Sequence, residues 1–100
     1  MSKDILGRDI KIGDVVYRPN GYGDKSWKIG IITGFTNTGN PRFYVARNIP
    51  SNDPPKLQNA GYITSFLTST VILDSLGEIE DWRKDLFNNK RKELGLKPIK

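Results

Sequence analysis

Between residues 17 and 47, aromatic and cationic side chains interleave: Tyr17, Tyr22, Trp27, Phe43 and Tyr44 fall among Arg18, Lys25, Lys28, Arg42 and Arg47. Rings that stack on bases and cations that pair with phosphates are the chemistry by which single-stranded nucleic acid is held. The same residues admit a plainer account, in which Trp27 and Phe43 are core and the cations are solvent-facing strand positions. A second cationic region closes the chain. Residues 83–100 carry seven basic residues (Arg83, Lys84, Lys90, Arg91, Lys92, Lys97 and Lys100) against Asp85 and Glu93. These cations either contact phosphates or complement the negative end of a helix dipole, although the dipole does not account for Lys97 and Lys100, which lie past Gly95. The candidate nucleic-acid-binding set is therefore Arg18, Tyr22, Lys25, Lys28, Arg42, Tyr44, Arg47, Lys90, Arg91 and Lys97.

Catalytic and metal chemistry is poorly provided for. The chain has neither histidine nor cysteine, which removes the commonest general base, the thiol nucleophile and the favoured ligands of zinc. Glu78, Glu80, Asp81 and Asp85 form the one acidic cluster, and they fall where a helix start would use them to complement its dipole. Gly21-Tyr22-Gly23 continues into Asp24-Lys25 and lacks the glycine spacing that cradles phosphates. Ser65 and Ser69 have no histidine to activate them, so a serine nucleophile would need a lysine base and an oxyanion hole. The expectation is a protein that is not an enzyme, with no cofactor and no metal.

Of the 100 residues, 16 are Lys or Arg and 11 are Asp or Glu, a net charge of +5 that points to polyanion partners. The length suits one domain with one modest core, and 36% hydrophobic content supports folding. No apolar run approaches the roughly 20 residues of a membrane-spanning helix. The first residues, Met-Ser-Lys-Asp-Ile-Leu-Gly-Arg, bring charges in before a signal-like apolar stretch forms. With no cysteine to oxidise, a cytoplasmic location and no membrane partner are expected.

Short strands and one helix must carry these side chains. A Gly13-Asp14 turn launches a strand at Val15-Val16-Tyr17, and Arg18 to Ser26, with Pro19, Gly21 and Gly23, reads as a loop. From Trp27 the chain alternates, with Trp27, Ile29, Ile31, Thr33 and Phe35 on one face and Lys28, Gly30, Ile32, Gly34 and Thr36 on the other. Trp27, Ile29, Ile31 and Phe35 are expected to face the interior, and Gly30 and Gly34 to permit a bend or a close strand approach. Asn37–Asn40 supplies a hairpin turn, and Arg42–Arg47 is the returning strand. Residues 48–60, with three prolines, read as a loop; residues 61–74 split near Thr68-Ser69 into two short strands. Ile79, Trp82 and Leu86 then recur at helical spacing, flanked by Phe87, with Asp74 or Ser75 as the cap and Gly95 and Pro98 as the stop.

The segment Ile10-Lys11-Ile12-Gly13-Asp14-Val15-Val16-Tyr17, followed by Trp27-Lys28-Ile29-Gly30-Ile31-Ile32, resembles the opening of SH3-like small β-barrels of the KOW and Tudor type, over residues 10–47. Leu6-Gly7-Arg8 is similar in style to the leading segment of small phage-encoded proteins. The resemblance implies binding of nucleic acid or protein without catalysis. The expected architecture is mainly β, α+β overall: a single domain over 1–100, with a five-stranded, partly open SH3-like barrel at 10–74, an amphipathic helix at 76–95 and a basic tail at 96–100. The expected function is a non-enzymatic nucleic-acid-binding module. The alternative is a protein-interaction module, an adaptor or inhibitor, that uses the exposed aromatics and the proline loop.

Overall fold

The computed structural model describes residues 3–19, 25–48, 54–63 and 70–100, with Lys25 and Ser26 described by backbone alone. Among the described residues, five strands, β1 (Val15–Tyr17), β2 (Ile29–Phe35), β3 (Pro41–Arg47), β4 (Lys56–Tyr62) and β5 (Val71–Ile72), accompany two helices, α1 (Lys25–Lys28) and α2 (Asp81–Glu93). All the strand pairs are antiparallel and make one sheet in the order β4-β3-β2-β1-β5, so the fold is mainly β with a C-terminal helix.

The hairpin between β2 and β3 turns where Asn37–Asn40 predicts it. The Thr36 N–H donates to the Asn40 carbonyl at 2.8 Å, and Gly39 sits at φ 84°, a conformation a side chain would strain. Outside that hairpin the alternation needs correcting. Trp27 belongs to α1, and β2 begins at Ile29, after which Ile29, Gly30, Ile31 and Ile32 are all buried. Both parities are buried because both faces of the sheet are covered. Ile32, Val16, Phe43 and Val45 pack with Ile10 and Ile63 on one face. Ile29, Ile31, Val15 and Ala46 pack with Leu76 and Phe87 on the other. Trp27 joins the first of these cores, opposite Ile29 and Ile31. A register shift between Ile32 and Gly34 then breaks the alternation, and Phe35 ends 37% exposed.

Residues 48–60 are not loop throughout, since β4 starts at Lys56 and pairs along β3. The split expected near Thr68-Ser69 lies outside the described residues. On the second face α2 buries Phe87 completely, with Ile79, Trp82 and Leu86 half-buried around it. Its helical turns begin at Asp81 and end at Glu93, and neither expected residue caps the start. Asp74 is paired with Arg8, and the Ser75 hydroxyl donates to the Lys100 carbonyl. Arg83, only 3% exposed, docks the helix: one guanidinium nitrogen donates to the Ala46 carbonyl at 3.0 Å and another to Glu80 at 3.0 Å.

Residues 96–100 lie against the body of the protein. Leu96 packs on Gly13, Asn88 and Ile99 exchange two hydrogen bonds, and the Leu76 N–H donates to the Lys100 carbonyl at 2.6 Å. The two sheet edges also differ. At β5 the Ile72 N–H donates to the Asp4 carboxylate, the Arg8 guanidinium donates to the Ile72 carbonyl, and the Ile5 N–H donates to the Thr70 carbonyl. Among the described residues no strand pairs with the outer side of β4.

Candidate functional site

The register gathers cations at one end of the sheet. The Arg18 N–H, just past β1, donates to the Lys28 carbonyl at 2.7 Å. Lys28 precedes Gly30 by two residues; Gly30 pairs with Val45, which brings Lys28 to the end of the sheet where β3 finishes at Arg47. Arg47 in turn pairs with Lys56 at the start of β4. Arg18, Lys28, Arg47 and Lys56 thus form a row across neighbouring chain segments, about 14 Å long at the usual strand spacing.

Two of these cations are held by rings. The Arg47 guanidinium lies 4.3 Å from the centre of the Trp27 ring, and the Arg18 guanidinium lies 4.4 Å from the centre of the fully buried Phe43 ring. Arginine over an aromatic face is attracted by the ring quadrupole, and the contact limits the rotamers it must give up on meeting an anion. Partial burial pushes the Arg18 guanidinium below its ordinary pKa. It remains charged, and its Nε is buried with no hydrogen-bond partner among the described residues. None of the four cations forms an ion pair among the described residues. Like charges on neighbouring strands repel, so such a row is electrostatically unfavourable until an anion meets it.

The other candidates are dispersed. Arg42 is exposed at the opposite end of the sheet, paired with Gly34 and Tyr62. Tyr44 faces α2, where it lines a cavity of about 340 Å³ with Thr33, Leu57 and Lys90. Lys90 pairs with Glu93 at 3.3 Å. The Arg91 guanidinium donates to the carbonyls of Gly13, at 2.6 Å, and Lys97, at 2.7 Å, so it ties the C-terminal segment to the first turn. Lys97 is exposed beside it. The backbone of Lys25 lies on α1, and Tyr22 is outside the described residues. Lys56 is the member of the row that sequence reasoning missed. Leu57-Gln58-Asn59-Ala60 has no β-branched residue to mark a strand.

Among the described residues no cluster of three or more acidic side chains has the geometry to hold a metal ion, and no helix is long and apolar enough to cross a membrane. A protein family described as a domain of unknown function (DUF7205) matches residues 2–40, the stretch that carries β1, α1 and β2 with Arg18 and Lys28. No curated protein and no solved structure matches the chain.

Proposed function

We propose that this protein is a non-enzymatic, cytoplasmic nucleic-acid-binding module that contacts the phosphate backbone through Arg18, Lys28, Arg47 and Lys56. The observation that carries the reading is the row itself: four cations on adjacent segments, with no ion pair among the described residues and two of them seated on rings. In this reading the sheet curls into a partly open barrel of the SH3-like kind. Support for the curl comes from the register shifts at Ile32/Gly34 and Arg42/Tyr44, since bulges increase strand twist, and from Gly30, over which the Phe43 ring closes.

Contacts of this kind position a backbone without reading bases, so binding should tolerate sequence and depend on salt. With four phosphate contacts on duplex DNA, affinity should fall about a hundredfold between roughly 50 and 200 mM salt. Fluorescence anisotropy with labelled duplex and single-stranded oligonucleotides tests this. The double variant Lys28→Gln/Lys56→Gln should bind more weakly and lose only about tenfold over the same range. Absence of binding by the intact protein at about 50 mM salt, or an unchanged slope in the double variant, overturns the proposal.

A further inference from the structure

β4, which starts at Lys56 of the cation row, lies at the sheet edge with no strand on its outer side among the described residues. The contrast with β5 gives this meaning, because the Ile72 N–H and carbonyl at that edge are satisfied by Asp4 and Arg8. This seven-residue edge presents backbone donors and acceptors that a further strand can use, except at Gly61, whose N–H donates to the Asn59 side-chain oxygen at 2.7 Å. Beside it runs a groove of about 360 Å³ between β4 and α2, lined by Lys56, Leu57, Leu86, Asn89 and Lys90 and flanked by Pro55 and Glu93. It adjoins the cavity under Tyr44, with Leu57 and Lys90 common to both.

We propose that the outer edge of β4 and this groove bind an extended peptide of a partner protein, with apolar and acidic residues alternating at its groove-facing positions. A peptide added as a sixth strand places every second side chain over the groove. Leu57 and Leu86 offer an apolar seat, Lys90 offers a cation and Asn89 an amide. The exposed Glu93 holds Lys90 only at 3.3 Å on the surface, so a peptide carboxylate can displace it. Charge selects this occupant over a second copy of the chain. The protein carries +5, and Lys56 at the start of β4 is the kind of residue that keeps sheet edges from pairing with themselves.

The test uses the full chain and a labelled ten-residue peptide with threonine at alternate positions and leucine and glutamate taking turns between them. Replacing its glutamates by lysines should weaken binding at least tenfold. Methylating the backbone nitrogens of one alternate set should abolish binding, while methylating the other set should leave it within about threefold, because only one set faces β4. Lys90→Glu should lower affinity at least tenfold with an unchanged thermal midpoint. No binding at about 1 mM peptide, or equal sensitivity of the two methylated sets, overturns the proposal. A dimer in sedimentation velocity that the peptide does not dissociate gives the edge to a second copy and overturns it as well.

Discussion

The Asp4 carboxylate accepts the backbone N–H of Ile72 at 3.1 Å, joining positions 68 residues apart and closing one edge of the sheet. The same carboxylate accepts the N–H groups of Leu6 and Arg8 and an N–H of the Arg8 guanidinium. Burial by itself raises this carboxyl's pKa, but the hydrogen bonds from Ile72 and Arg8 and the Arg8 charge outweigh it and hold the group below its ordinary value. A carboxyl with a lower pKa in the folded state stabilises the protein above the unfolded pKa, near 4, and loses that contribution as pH falls through the folded value. Asp4→Ala should cost about 2–3 kcal/mol in urea unfolding at pH 7, since it strands the Ile72 N–H. The gap between variant and wild type should shrink on acidification below about pH 4. Parallel acid limbs would assign the acid sensitivity to other groups.

Gly30 and Gly34 look equivalent in the sequence and are not. A Cβ on Gly30 would lie 2.5 Å from the Tyr44 carbonyl and 2.6 Å from the Phe43 ring, whereas one on Gly34 would meet only Arg42, at 3.9 Å. Gly30→Ala should destabilise by about 1–3 kcal/mol, because neither backbone nor a buried ring can yield cheaply. Gly34→Ala should stay within about 1 kcal/mol of wild type. Equal losses would show that Phe43 does not close over Gly30.

On α2 the anchor is Phe87. Its side chain is fully buried while Trp82 is half-buried under the stacked Arg83 guanidinium, 4.5 Å from the ring centre. Phe87→Ala should cost about 3–5 kcal/mol and Trp82→Ala about 1–3 kcal/mol, read as shifts in denaturant midpoint at constant slope. The reverse order would mean that the helix is rotated from the face described.

Deleting residues 96–100 tests packing more than charge. Ile99 packs on the second core, its backbone is paired with Asn88, and Arg91 bridges the Lys97 and Gly13 carbonyls. The deletion should lower stability by about 2–4 kcal/mol. Lys97→Gln/Lys100→Gln should leave stability within about 0.5 kcal/mol, which makes the double substitution the proper probe of any phosphate contact there.

The elements legible in the sequence were those whose signal is local. The hairpin at Asn37–Asn40, β1 after Gly13-Asp14 and the stripe of α2 follow from turn chemistry and periodicity. What escaped depends on partners distant in the chain. Nothing near Ile32 reveals that Ile10 and Ile63 cover its face, so a strand buried on both sides read as one-sided. Trp27 fitted the alternation although α1 turns it to the opposite core from Ile29. For the site, Arg18, Lys28 and Arg47 were identifiable as cations, but their alignment with Lys56 is a product of strand register, which composition does not encode. The tie from Arg91 to the Gly13 carbonyl is equally hidden, because the two residues lie 78 positions apart.

Trp27 should report directly on binding. The chain has two tryptophans, and they lie on opposite faces of the sheet: Trp27 carries Arg47 on its ring at the cation row, while Trp82 packs with α2. In a Trp82→Phe variant the remaining emission comes from Trp27 alone. Saturation with single-stranded DNA at about 50 mM salt should change that emission, because a phosphate drawing on Arg47 alters the contact over the indole. Arg47→Lys should weaken binding while leaving the salt slope nearly unchanged, since the charge persists and the stacked, planar fork is lost. Arg42→Gln, at the far end of the sheet, should change neither signal nor slope. If DNA binds and Trp27 emission stays constant while a Trp27→Phe variant responds through Trp82, the contact surface lies on the α2 face and the assignment to the cation row fails.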